Sequence, residues 1–356
     1  MILPSQQIAA LMEAGHVTTG HARTSGQPGD QTGAETADRL PPTLQPASLD
    51  LTLGRRAFRM RASFLPGEGG RVADGIDALC LHEIDLDVGA VLETGCIYLV
   101  ELRERLDLPQ DIAALANPKS STGRLDVFAR VIGEASDRFD ALPAGYSGHL
   151  WLEVAPRTFP VLVRTNDRLS QMRFRRGAAK PVRRQTVSLD LSPDSVGRGE
   201  IVGYRARRHS GLVDLRGIGT HAALDYWEPV RLTSVSGQCG GLILEPEEFY
   251  ILASREAVEI PVDQAAEMAP IDTEIGEFRA HYAGFFDPGF GVAAAGGAGS
   301  RAVLEVRGRD VPFLLSHGQP VAHLVFEPLA EVPRDLYGAN GSSYQAQGLR
   351  LSKHFA

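Results

Sequence analysis

The chain repeats itself. Leu92-Glu93, Tyr98, Arg103-Glu104, Pro109, Asp111, Ala113-Ala114 and Pro118 recur at Leu244-Glu245, Tyr250, Arg255-Glu256, Pro261, Asp263, Ala265-Ala266 and Pro270, every pair 152 positions apart. The register returns at Glu153-Val154, Arg157, Pro160 and Phe174, matched by Glu305-Val306, Arg309, Pro312 and Phe326. One offset kept without a gap across about eighty residues reads as two copies of one domain. A length of 356 residues also favours two domains. They divide as 1–178 and 196–356, joined by a polar linker at 179–195 that carries Lys180, Pro181, Arg183 and Arg184. With 38 Gly and 22 Pro and few long helical periodicities, the expected class is all-β with a few short helices.

Residues that suit chemistry concentrate between Pro118 and Val154. Pro118-Lys119-Ser120-Ser121-Thr122-Gly123-Arg124 offers hydroxyls, a flexible glycine and two cations, a composition fit for phosphate and polar-base contacts. A turn or helix cap accounts for the same residues. His149-Leu150-Trp151-Leu152-Glu153-Val154 reads as a strand with Leu150, Leu152 and Val154 on one face and Trp151 and Glu153 on the other. A carboxylate shielded by a tryptophan has a raised pKa suited to proton transfer, while a solvated one does nothing special.

Elsewhere the signals are plainer. Residues 5–14 read as a helix with Ser5 as N-cap, an Ile8, Leu11 and Met12 stripe, and Gly15 as its stop. A polar, weakly apolar loop follows to about Leu40, and Leu44 to Gly54 reads as a strand entering a turn. A net charge of −8 disfavours a nucleic-acid polymer as partner, though a local basic pocket still suits a nucleotide. Cys80, Cys96 and Cys239 are scattered, and neither a disulfide framework nor the paired cysteines of a zinc deaminase is present. No apolar run is long enough to span a bilayer, and the start lacks a signal peptide, so a cytoplasmic location is expected.

Three ordered motifs resemble the dCTP deaminase family of the dUTPase-like superfamily: Pro118 to Arg124, Ala144-Gly145-Tyr146-Ser147-Gly148, and Leu152-Glu153-Val154. Pro46-Ala47-Ser48-Leu49-Asp50-Leu51-Thr52-Leu53-Gly54 is similar to its first strand, and Asn166 to Phe174 to the Gly-Asp-Arg-x-x-Gln segment of dUTPases. Tyr344-Gln345-Ala346-Gln347-Gly348 resembles the tail that closes over the triphosphate, although Ser343 replaces the usual lysine, with Lys353 as its substitute. The resemblance implies two tandem β-clip, distorted jelly-roll domains and hydrolytic deamination of dCTP to dUTP and ammonia without a metal ligand set. It implies Glu153 as proton carrier, Ser120 holding the water or the exocyclic group, and Arg124 orienting the carboxylate. Lys119, Ser121, Ala135, Tyr146, Arg168, Gln171, Tyr344, Gln347 and Gly348 are then the substrate contacts. Magnesium would arrive with the triphosphate. A homo-oligomer, a trimer in the first place, would follow from pockets built between domains.

The copies diverge where chemistry is expected. Ser120, Ser121 and Arg124 meet Asp272, Thr273 and Gly276 in the second copy, which keeps Asp287-Pro288-Gly289-Phe290 and Glu305. A carboxylate without its arginine is half a site, so Glu305 is expected to be structural or vestigial. In the first copy Pro143 stands where the turn's Asp belongs, and extra residues run from Glu134 to Asp140, with Asp137 and Asp140 either substituting for it or capping a loop. The expected arrangement is chemistry in copy one and a lid from copy two. Rival readings are a dUTPase, disfavoured by the missing Asp and terminal motif, a bifunctional enzyme doing both steps, and a deoxynucleotide-binding regulator without turnover.

Overall fold

The structure, a computed structural model, describes residues 1–19, 43–192, 200–232, 241–271, 279–281, 284–297, 299–308, 310–339 and 344–356, the side chains of 279–281 excepted. Residues 20–40 of the expected loop, Cys239, Asp272, Thr273, Gly276, Arg309 and Ser343 lie outside the described residues.

The chain is built from short strands. In the first half one sheet runs Cys80–Asp85, Leu53–Met60, Ile97–Asp107, Ser147–Pro156, Val127–Gly133. A second sheet runs Ala141–Leu142, Ile112–Pro118, Ser170–Arg176, Ser48–Leu51, Leu44–Gln45. The second half pairs its strands in the same sequence: Trp227–Arg231, Ile201–Ala206, Phe249–Val258, Ser300–Arg307, Arg279–His281, and then Phe285–Phe286, Gln264–Ala269, Pro320–Pro328, Arg183–Ser188. Arg183–Ser188 falls inside the stretch read as a linker, yet it pairs with Pro320–Pro328.

Repeated polar residues do the same work in both halves. The Tyr98 hydroxyl accepts from Glu93 N at 3.0 Å, and the Tyr250 hydroxyl from Glu245 N at 3.1 Å. Glu104 is buried and accepts from the Thr52 amide and hydroxyl, as Glu256 does from those of Ser188. Each pairing satisfies groups that would otherwise be buried without partners.

Alternation along Ser147–Pro156 is as the pattern requires. Leu150, Leu152 and Val154 are wholly buried in the main core, and Trp151 and Glu153 take the opposite face. What covers that second face separates the halves. In the first, Phe58, Met60, Leu99, Ile132 and Trp151 lie under residues 61–79, whose helix Val72–Leu79 contributes Val72 and Ile76. In the second, the equivalent Phe249, Ile251, Ala253 and Val303 pack into the main core of the first half, with Tyr204 and Trp227 beside them. Strand Phe249–Val258 is therefore apolar on both sides at its start, as a sheet buried on two faces must be. Burying each large side chain contributes about 1.5–3 kcal/mol, so this face joins the halves firmly.

Polar bonds add direction to the joint. Arg173, buried, donates to Ala47 O, Ala266 O, Phe286 O and Asp287 Oδ1. Asp126 of the first half pairs with Arg307 of the second. The N-terminal helix spans Ser5–Glu13 with Ile8 and Leu11 buried, and Pro4 rather than Ser5 occupies the N-cap. The Ser5 hydroxyl, already inside the helix, donates to Gln6 Oε1 at 3.3 Å.

Candidate active site

The cationic segment folds as one helical turn, Ser120–Gly123, with Lys119 at its N-cap. Thr122 Oγ1 donates to Leu169 O at 2.8 Å and fixes the turn against the strand that follows. Arg124, at the turn's C-terminal end, is 3% exposed and reaches into the second half. There its Nε lies 3.8 Å from Glu305 Oε1. Its Nη2 donates to Gln347 Oε1 at 3.0 Å and its Nη1 to Arg350 O at 3.1 Å, and its guanidinium stacks 3.9 Å from the Tyr344 ring centre. Two segments far from it in sequence, the strand of Glu305 and the C-terminal residues 344–350, thus meet on one arginine.

Glu305 is 1% exposed, and burial pushes its carboxyl up to about 8, with Arg124 pulling the other way. Its Oε2 and the Arg124 Nε are buried without hydrogen-bond partners. Each is buried hydrogen-bonding capacity with no partner in the chain, which a polar ligand would satisfy. Ser120 opens the helical turn that Arg124 closes. A Cβ added at Gly284 would stand 2.3 Å from Ser120 Oγ, and Gly284 N donates to Asn117 Oδ1 at 2.7 Å. The glycine, at φ +100°, lets the second half's backbone approach the serine closely.

Cations gather beside this point. Asp50, buried, pairs with Lys119 and, at 3.4 Å, with Arg168. Burial, then the charges of Lys119 and Arg168, push the Lys353 ammonium down. Three cations around one carboxylate leave net positive charge for a polyanion. Gln171 braces the site: its Nε2 donates to Pro118 O and its Oε1 accepts from Ser48 Oγ, both at 3.4 Å. Ser121 O accepts from Ser352 Oγ at 3.0 Å, and Gly348 follows Gln347 along the C-terminal strap, residues 344–356.

Several expected placements change. Glu153 does not meet Arg124. It is 4% exposed and bound by Arg130, whose Nε donates to its Oε1 at 3.1 Å, while Arg130 stacks 3.7 Å from the Phe139 ring centre. The reason is packing: residues 61–79 already occupy the face on which Glu153 sits. Ala135 and Tyr146 serve the first half's own turn. Ala135 N donates to Gly70 O, and the Tyr146 hydroxyl accepts from Glu134 N and donates to His149 O. Asp140 accepts from Val131 N at 2.7 Å, which makes it a loop brace. Glu305, set aside as vestigial, holds the place beside Arg124. One signal in the sequence pointed there: both halves keep the strand glutamate, but the cationic segment stands only in the first and the Asp-Pro-Gly-aromatic turn only in the second. Each half carries what the other lacks.

Among the described residues no group of three His, Cys, Asp or Glu side chains is placed to hold a metal ion, and no helix is long and apolar enough to cross a membrane. Two all-β halves of matching strand order, joined through a buried arginine–carboxylate pair with further cations nearby, suit an enzyme that handles a nucleotide. Comparison with known proteins names the family. The family described as 2'-deoxycytidine 5'-triphosphate deaminase, N-terminal domain, matches residues 1–178, and its C-terminal domain matches residues 182–355. The crystal structure of 2'-deoxycytidine 5'-triphosphate deaminase from Agrobacterium tumefaciens superposes with a TM-score of 0.82 at 47% identity, over 95% of this chain and 98% of that one. A dCTP deaminase of Halorubrum lacusprofundi is 29% identical over 142 residues, 39% of this chain and 67% of that protein. A dUMP-forming dCTP deaminase of Nocardioides is 32% identical over 135 residues, 38% of this chain and 67% of that protein. The chain spans about two thirds of the length of these curated relatives. It belongs to the dCTP deaminase family, whose reaction is the hydrolytic deamination of dCTP.

Proposed function

We propose that this deamination takes place between the halves, with Glu305 as the proton carrier, Arg124 as its electrostatic partner and Ser120 at the attacked carbon. The observation that carries this reading is the buried Arg124–Glu305 pair with one unpartnered atom on each side. With its carboxyl pushed up to about 8, Glu305 starts protonated at neutral pH. It gives that proton to cytosine N3, which makes C4 electrophilic. Water attacks C4 and yields a proton to the carboxylate, which passes it to the exocyclic amine. The C4–N bond breaks, ammonia leaves, and the remaining hydroxyl proton returns to Glu305 as the uracil carbonyl forms. Arg124 steadies the carboxylate during its anionic intervals.

Lys119, Arg168 and Lys353 would receive the triphosphate, whose magnesium comes with it as part of the substrate. Tyr344 and Gln347 would act by holding Arg124. The same reading keeps 1–178 and 196–356 as two tandem copies of one domain, and places the protein in the cytoplasm. Because Arg124 and Glu305 belong to one chain, a trimer would gather complete sites rather than build them.

The test is ammonia release from dCTP by the wild type, Glu305→Gln and Glu153→Gln. Loss with Glu305→Gln alone supports the assignment, and loss with Glu153→Gln alone overturns it. Some relatives carry the words dUMP-forming and others do not, so pyrophosphate is measured in the same assay. We expect dUTP as product. Pyrophosphate in step with ammonia would instead make the chain a dUMP-forming enzyme.

A further inference from the structure

Beyond the site, the strap itself is held at its far end. Residues 207–226 leave the second half between strands Ile201–Ala206 and Trp227–Arg231 and cross to the first. Val213–Asp214 runs parallel to Val161–Val163, and Arg164 grips Asp214 with bonds of 2.7 and 3.0 Å. This clasp also takes hold of the strap's last residues. Gly219 N donates to Lys353 O at 3.0 Å, His221 N to His354 O at 3.2 Å, and Ala356 N to His221 O at 2.9 Å. The Phe355 ring lies 5.2 Å from Tyr226, 5.8 Å from Trp227, 6.1 Å from Phe159 and 6.2 Å from His221, centre to centre. A cavity of about 510 Å³ borders the strap, with Tyr204, Ile218 and Ala223 on one wall and Leu349 and Leu351 on the other. Between its ends Leu349 is buried in the main core and Ser352 Oγ donates to Ser121 O, so the strap is held along its length, with Tyr344 and Gln347 on Arg124 at one end and Phe355 in its aromatic cage at the other.

We infer that Phe355 and the clasp 207–226 form a latch that keeps the strap closed before substrate arrives, and that Phe355 is thereby a positioning residue for Arg124. The inference rests on the Arg124–Glu305 pocket being the reacting site. Gln347 links latch to site: its Nε2 donates to Arg301 O at 2.9 Å while its Oε1 takes the Arg124 guanidinium. If the strap loses its far anchor, only the closed fraction of molecules binds dCTP well. Apparent affinity falls by that fraction, while saturating substrate restores closure and the rate. A strap closed one tenth of the time raises KM about tenfold.

The test uses the full chain with Phe355→Ala, Phe355→Trp and Ala356→Pro. Trypsin cleavage after Arg350 or Lys353, followed by mass spectrometry, reads strap opening without any turnover and so stands apart from the identity of the proton carrier. For Phe355→Ala we expect cleavage about tenfold faster, KM for dCTP raised about tenfold and kcat within about threefold of wild type, with Phe355→Trp restoring both. Unchanged cleavage, faster cleavage at unchanged KM, or a fall in kcat at unchanged KM would each overturn the latch. Should Phe355→Ala not fold, Ala356→Pro removes only the bond to His221 and must shift cleavage and KM in the same direction by about threefold. A folded Ala356→Pro that shifts neither also overturns the proposal. Activity surviving in Glu305→Gln alongside a normal latch response would sink the site assignment alone.

Discussion

Glu153 and Glu305 occupy the same place in the same strand of the two halves, each between a leucine and a valine. One is bound by an arginine of its own sheet under its own half's cap, and the other lies beside Arg124 of the opposite half. The difference comes from what lies across the sheet. Residues 61–79 fold back over the first half's outer face, whereas the corresponding 207–226 reach away to clasp the strap and leave the second half's face for its neighbour. Each half supplies one carboxylate; the covering of each face decides which of them meets Arg124.

That contrast is sharpest in activity. Glu305→Gln is expected to lower kcat about 100-fold or more in an ammonia-release assay, while Glu153→Gln stays within about threefold. Equal losses in both variants would break the comparison. Next comes pH. Burial raises the Glu305 carboxyl to about 8 in the folded chain from an ordinary 4.5, so folding takes up a proton between those values. Its contribution is fully present below about pH 4.5 and lost as pH rises through about 8. Glu305→Gln is therefore expected to gain stability over wild type between pH 5 and pH 9, by on the order of 3 kcal/mol in denaturant melts. A difference independent of pH would mean that Glu305 is ionised in the resting protein.

Gly284→Ala tests the close approach of the halves. Its Cβ must push Ser120 aside, and φ +100° strains any side chain, so kcat/KM should fall about tenfold with ammonia release as the readout. Ala at the corresponding distance from no catalytic group, as at exposed Gly95, should leave the rate alone. The smallest effect is expected at Arg130→Ala. Removing the partner of Glu153 costs about 1 kcal/mol in a thermal melt, given that Arg130 is itself partly open to solvent, and leaves kcat/KM within about threefold. A large loss of activity there would give the first half's carboxylate a role that its position denies it.

Much of this was legible in the residues alone. The 152-residue offset marks equivalent strands, because side-chain alternation and the Tyr98 and Tyr250 bonds are local consequences of local sequence. Lys119 and Arg124 could be picked out from the composition of their short motif, and Tyr344 and Gln347 from the resemblance of theirs to the family's tail. The partner of Arg124 could not. Leu-Glu-Val reads alike at Glu153 and Glu305, and nothing within either strand says which sheet face stays open. Only the packing of one half on the other, driven by Phe249, Ile251 and Val303 finding the first half's core, brings Glu305 to the arginine, since burial and long-range contact belong to the assembled chain and not to any segment of it.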